Sequence, residues 1–444
     1  MRRPIFLITL FSFTAMALLI SFSSVAQRQL TLEECIKIAL DKNIDIKRAR
    51  NFALMANSNY QQSKFNFYPS LNARFNYGWS NGLLIDNTTG DAVNERTQSS
   101  NPAISLDVPI FQGMTNHNTL SRNRMAMDAT QYDIESSIDL TKIAITGYYL
   151  LVLRSDENIK ISEERIKLLE GQLERSEKRV ELGVENNQQV YNLRSQIANE
   201  RLNLVTVQNN YRQNKLLLLQ QLLLDPTEEY EIVPLEISET DLVQNMQPYK
   251  EIYGVAEAYS PALKSAELGI SVSEKDIEIA KADRLPSIYG SASYSSQFFA
   301  SSARQNDSYL EQLDNNKQKF VGLRMNIPIF NNYRIKNNIQ IARISRDNAE
   351  LDMEQAEINL QNNVQQAYLD LLSAFSTYNA SKDNLAALDQ AFKFSDTSYK
   401  SGNADFYSYI EALNNKNRAE LELNNAKFSI VFRKKILDVL QGLD

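Results

Sequence analysis

The 444-residue sequence contains one cysteine, Cys35, and one histidine, His117. A lone thiol closes no disulfide and builds no zinc cluster, and a lone imidazole excludes His-based triads and multi-His metal centres. His117 reads as a surface or helix-start residue. No glycine-rich phosphate loop of Walker or Rossmann type is present, so no catalytic, cofactor-binding or metal residues are expected and the chain is read as a non-enzyme. Only 13 glycines and 10 prolines occur, too few for an all-β or loop-rich protein, which leaves long helices as the expected bulk. The net charge of -7 offers no basic face to nucleic acid. Beyond the first 27 residues no window approaches the roughly 18 unbroken apolar residues of a membrane-spanning helix. Membrane residence would therefore require a closed barrel of alternating strands, since only helices and barrels satisfy every backbone polar group in lipid.

The N-terminus is the exception to this polarity. Arg2 and Arg3 precede an apolar run from Ile5 to Ile20, and Ser24-Val25-Ala26 forms a small-x-small cleavage box. This predicts a secretory signal over residues 1–26. No cysteine stands at the cleavage site, so no lipidated N-terminus is expected.

The remainder repeats itself. Tyr68-Pro69-Ser70-Leu71 returns as Leu285-Pro286-Ser287-Ile288, and Ile46-Lys47-Arg48-Ala49 as Leu263-Lys264-Ser265-Ala266 at the same offset. Val108-Pro109-Ile110-Phe111 returns as Ile327-Pro328-Ile329-Phe330, and that second offset holds through Tyr149-Leu150 against Tyr368-Leu369 and Gly183 against Gly402. The offset changes only inside a Ser/Asn-rich loop, as expected of a duplication. The predicted division is a first repeat over 27–224, a connecting segment over 225–247 marked by Pro226 and Pro234, and a second repeat over 248–444.

Each half reads helix, strand, loop, strand, long helix, tight turn, helix. In the first, Ile36, Ala39, Leu40, Ile44 and Ile46 give helical spacing to a segment Leu32 to Phe67, with Thr31 as N-cap, Glu34 three residues on and Tyr68-Pro69 as the stop. Ile145, Val152, Ile159, Ile166, Leu173 and Val180 fall every seventh position, and Val190, Ile197, Leu204, Tyr211 and Leu218 do so on the return, which predicts a coiled coil. A helix from Gly113 to Val180 would be about 100 Å long at about 1.5 Å per residue, more than any single globular core requires. Gly183 and Gly402 occupy the turns, where a helix favours a left-handed terminal residue.

Four strands are predicted, at about 69–80, 101–111, 286–298 and 319–330. Leu71, Ala73, Phe75, Tyr77 and Trp79 alternate with Asn72, Arg74, Asn76 and Gly78; Ile104, Leu106, Val108 and Ile110 alternate with Ser105, Asp107 and Pro109; Val321, Leu323, Met325, Ile327 and Ile329 alternate with Gly322, Arg324, Asn326 and Pro328. Each has one apolar and one polar face and roughly the ten residues that cross a bilayer when tilted. Four strands cannot close a barrel, about eight leave an interior filled by side chains, and three copies of four leave an aqueous lumen.

The signal segment, the duplicated plan, the Pro-Ser-Leu and Pro-Ile-Phe strand edges and the twin glycine turns together resemble the TolC family of outer membrane factors over essentially the whole mature chain. The resemblance implies a mixed, mainly α fold: a homotrimer whose twelve strands form an outer-membrane β-barrel in lipid and whose coiled-coil helices form a periplasmic α-barrel. It implies export of drugs, toxic small molecules or secreted polypeptides, with a periplasmic adaptor (membrane fusion) protein and an inner-membrane pump or ATP-driven exporter as partners. The pore constriction of such channels, carried over by counting from Gly402, falls on Ser408 and Glu411; the places after Gly183 hold Gln189 and Asn192. Candidate adaptor-contact tips are Arg179, Val180, Leu182, Gly183, Val184 and Glu185 in one hairpin and Tyr399, Lys400, Gly402, Asn403 and Asp405 in the other. The rival reading is a secreted periplasmic coiled-coil scaffold or adaptor without a pore.

Overall fold

The computed structural model describes residues 28–85, 90–238, 242, 246–302 and 307–443. The expected signal segment lies outside the described residues. A three-residue strand β1 (Arg28–Leu30) leads into helix α1 (Leu32–Lys42) and helix α2 (Ile44–Phe65). Thr31 and Glu34 close a reciprocal capping box at the start of α1. The sequence predicts one helix here, but it breaks at Asn43. That side chain accepts from the backbone N–H of Asp45 and Ile46, at 2.7 and 3.1 Å, so it starts a new helix instead of continuing the old one.

Strands β2 (Ser70–Arg74), β3 (Tyr77–Ile85), β4 (Ala92–Ser100) and β5 (Ala103–Gln112) follow, then α3 (Thr115–Glu181) and α4 (Asn187–Gln221). After strand β6 (Tyr230–Ile232) come α5 (Tyr249–Tyr259), α6 (Pro261–Ala282), strands β7 (Ser287–Ser295) and β8 (Phe298–Ser301), the short helix α7 (Tyr309–Asn315), strand β9 (Gln318–Asn326), α8 (Arg334–Lys400) and α9 (Phe406–Leu440). Corresponding helices have equal lengths: 11 residues in α1 and α5, 22 in α2 and α6, 67 in α3 and α8, 35 in α4 and α9. His117 lies in the first turn of α3, edge-on to Phe67 with ring centroids 4.9 Å apart.

The expected strand near 69–80 is interrupted at Phe75-Asn76, and the polar loop expected after it carries two ordered strands, β3 and β4. Likewise the loop expected before the fourth strand carries α7. Among the described residues there are a four-stranded sheet in the order β2-β5-β7-β9, a three-stranded sheet in the order β3-β4-β8, and a parallel pair β1-β6. The helices attached to the larger sheet pack in the same order as its strands: α2 against α3, α3 against α6, α6 against α8. Each strand thus runs on into a helix with its neighbours unchanged. Gly113 makes one such junction with φ +60°, where an added Cβ would come within 2.4 Å of the Ala282 carbonyl oxygen.

Midway along the long helices, the β1-β6 pair and α1 pack on α3 and α4. Leu30, Cys35, Tyr149, Leu218, Leu222 and Tyr230 are buried in this core. The Tyr149 hydroxyl sits 2.5 Å from the Val233 carbonyl and 3.2 Å from that of Leu30, tying the N-terminal strand to α3. Burial pushes the Cys35 thiol up to about 12, so it remains an uncharged apolar filler. A second core joins α5, α8 and α9 around Ile252, Val364, Leu371 and Ile430.

Candidate functional site: the sheet faces and the helical tips

Strand register sorts the larger sheet into two faces. Leu71 pairs with Leu106 and Ala73 with Ile104; Leu106 pairs with Ala292, Val321 with Ala292 across the next ladder, and Leu323 with Gly290. These cross-strand partners share one face, because residues directly opposite one another project to the same side. The other face carries Asn72 opposite Ser105, Ser70 opposite Asp107, Asp107 opposite Ser291, and Gly322 opposite Ser291. Arg324 lies on it, 3.8 Å from the Asp107 carboxylate and over the Tyr289 ring. The apolar face is uncovered: Leu71 is 69% exposed, Val321 84% and Leu323 76%. So large a contiguous apolar surface requires a non-aqueous neighbour. Strands of nine or ten residues, as in β5, β7 and β9, have the length that spans hydrocarbon when tilted. Pro109 lacks an N–H, and the ladder with β7 shifts register between Pro109 and Phe111. Among the described residues, β2 and β9 each leave one edge without a strand partner.

At the opposite end, α3 and α4 meet at Gly183 (φ +71°), and α8 and α9 at Gly402 (φ +79°). In both turns the residue after the glycine donates back five residues, Val184 N–H to the Arg179 carbonyl at 3.0 Å and Asn403 N–H to the Ser398 carbonyl at 2.8 Å. Asn186 caps α4 by accepting from the Gln188 N–H. Asp405 caps α9, and the Ser408 N–H at 2.8 Å holds its carboxyl below the usual carboxylate range.

The two tips are joined by a buried polar link. The Tyr399 hydroxyl lies 3.0 Å from Glu185 Oε1 and 3.4 Å from Gln189 Oε1. Ser176 donates to Glu185 at 3.0 Å, and the Arg179 guanidinium lies 3.4 Å from it. Tyr399 stacks on Tyr409 at 5.1 Å, in a core with Leu169, Leu193, Phe406 and Leu413. Burial first, and the Glu185 carboxylate next, push the Tyr399 phenol up to about 12. The Tyr399 phenol therefore stays protonated, and able to donate, at any physiological pH.

The sequence profile described as "Outer membrane efflux protein" matches residues 35–223 and 252–437, one block in each half. The chain belongs to the outer membrane efflux protein family. It is 20% identical over 416 residues to Outer membrane protein TolC of Escherichia coli (strain K12), covering 93% of this chain and 82% of that protein. Its fold is similar to that of the solved structure of CusC, at TM-score 0.76 and 19% identity, covering 92% of this chain and 91% of that one. It is similar also to VceC of Vibrio cholerae, at TM-score 0.75 and 14% identity, covering 93% and 96%. This efflux protein is thus an outer-membrane channel-tunnel with a periplasmic helical region, and the scaffold reading falls away. Its family is one of channels, not of enzymes.

Within the efflux protein, Leu182 and Val184 are 78% and 66% exposed at the first turn, and Lys400, Gly402 and Asn403 are exposed at the second. Glu185 and Tyr399, expected on the docking rim, instead point into the link between the hairpins, because a carboxylate and a phenol that satisfy each other can be buried together. Val180 and Arg179 are half-buried, and Asp405 is occupied as a cap. Ser408 and Glu411 are both exposed and lie one turn apart on α9, so they share a helix face.

Sequence reasoning missed a buried polar seam in the helical region. Ser155, Ser162 and Ser176 stand seven residues apart or a multiple of it on α3 and are all buried. Asn214 donates to Ser155 at 2.8 Å and Asn203 to Ser162 at 3.3 Å. Arg165, half-way along this seam, pairs with Glu200 of α4 at 2.9 Å and donates to Asn414 of α9. The available signal was the seven-residue spacing of the serines, which hydropathy scores as surface.

Proposed function

We propose that three copies close into a passive export duct, β9 of each pairing with β2 of the next to give twelve strands, with the apolar face in outer-membrane lipid and the polar face lining water. The observation that carries this reading is the amphipathic four-stranded sheet with two free edges, whose strand order is repeated by the helices below it. Free strand edges are otherwise a route to aggregation, and closure removes them. The domain plan consistent with it is a signal over 1–26, repeats over 27–224 and 248–444, and an equatorial connection over 225–247. The energy comes from partners: a periplasmic adaptor that meets the tips, and an inner-membrane pump or ATP-driven exporter that delivers drugs, toxic small molecules or secreted polypeptides.

The exposed turn residues support the adaptor contact. Replacing Leu182 and Val184 together by Asp puts charge on both apolar tip side chains, which lie roughly 100 Å from the sheet by helix length. The expected result is loss of export with a normal yield of SDS-resistant trimer in the outer membrane. Retained export would remove the first turn from the contact.

Three copies of Glu411 would set like charges around a narrow axis, where low-dielectric walls focus the field and favour cations. Glu411→Gln is expected to lower cation preference and weaken block by divalent or trivalent cations in planar-bilayer recording. Unchanged conductance, selectivity and block would make Glu411 an ordinary solvated charge, whatever the outcome at the tip.

A further inference from the structure

The two sheets are stacked in matching order. β2 runs on into β3, β4 into β5, and β7 into β8, so the smaller sheet β3-β4-β8 repeats the larger sheet β2-β5-β7-β9 strand for strand, one position short. The missing fourth position is taken by α7, which packs against β8 and leads into β9. α7 is held there by side chains. Tyr309 meets the Phe298 ring at 4.8 Å and lies within hydrogen-bond distance of Ser100, and Gln312 accepts from the Phe299 N–H at 3.0 Å. The helix nevertheless leaves Leu310 76% exposed. At the far side of the same rim, the edge strand β3 leaves Trp79 63% exposed and Leu83 74% exposed.

We propose that α7 of one copy docks on β3 of the adjacent copy, forming an apolar clasp around the outer mouth of the duct in which Leu310 covers Trp79. The inference rests on the trimer reading, since pairing β9 with the next copy's β2 brings the segment before β9 alongside the strand that follows β2. A second copy is the occupant that continuity selects. The rim order β3-β4-β8-α7 has an exposed apolar group at each end, and ring closure sets those ends side by side. It also covers a nine-residue edge strand that a single chain leaves open.

Trp79 is the chain's single tryptophan, so fluorescence reports this position alone. In purified trimer its emission should be blue-shifted and shielded from iodide, and Leu310→Asp should raise iodide quenching about twofold, as expected when a ring loses an apolar cover. In a Cys35→Ala background, Trp79→Cys combined with Leu310→Cys should give oxidised dimer and trimer adducts, with neither single variant doing so. SDS-resistant trimer on unheated gels is the separate readout of the underlying reading. Trimer without adducts, with Trp79 open to iodide, overturns the clasp and leaves the trimer standing. Shielding from iodide with strong quenching by brominated lipid also overturns it, by assigning the cover to the outer leaflet. Absence of trimer in the unaltered protein overturns both.

Discussion

Leu106→Arg should nearly abolish assembly of the channel in the outer membrane. Leu106 lies in the second strand of the sheet between Leu71 and Ala292, on the apolar face and midway along β5. An arginine facing lipid near the midplane costs roughly 2 to 4 kcal/mol, and the substitution occurs once in every copy of an oligomer. Leu323→Arg, opposite Gly290 on the same face, should behave alike. The matched control is Asn72→Arg, on the polar face opposite Ser105, which should assemble normally. Asn76, a natural choice from alternation alone, stands at the break between β2 and β3 and tests nothing about the faces. Heat-modifiable trimer in outer-membrane fractions is the measurement, and equal tolerance at all three sites would refute the face assignment.

The second large effect is expected at Arg165. Its side chain is 19% exposed and that of Glu200 is 7%, and the pair ties α3 to α4 while Asn414 ties both to α9. Arg165→Leu leaves the Glu200 carboxylate buried without its cation, a change of about 3 to 5 kcal/mol. The helical region should melt earlier and become open to protease near the tips, while the sheet continues to insert. Removing both charges, with Arg165→Met and Glu200→Leu, should recover most of the loss, because an apolar pair of similar volume carries no desolvation cost. Thermal melting of purified protein with limited proteolysis checks both variants. A double variant as unstable as the single one would show that Arg165 acts through packing, not through Glu200.

Much of this protein was legible in its sequence because the signals were local and periodic. Scarce glycine and proline pointed to long helices, heptad spacing to a coiled coil, and Gly183 and Gly402 to tight turns that hold positive φ. Period-two alternation separated Leu106 and Leu323 from Asn72 and Arg324 before any sheet was assembled. The smaller sheet was less legible: β4 is mostly polar, and α7 is seven residues long, so neither carries a periodicity that stands out from a loop.

The repeated plan, the amphipathic strands and the family were therefore determined by the sequence itself, since each depends on which residues neighbour one another along the chain. Only the tertiary structure decided that Glu185 and Tyr399 turn inward to bind the two tips together, that Ser155 and Ser162 are buried against asparagines, and that Arg165 finds Glu200 and Asn414. The reason is the same in all three cases. Each of these buried side chains meets a partner from another helix or turn that helps satisfy its hydrogen bonds, and no local window of sequence shows that partner.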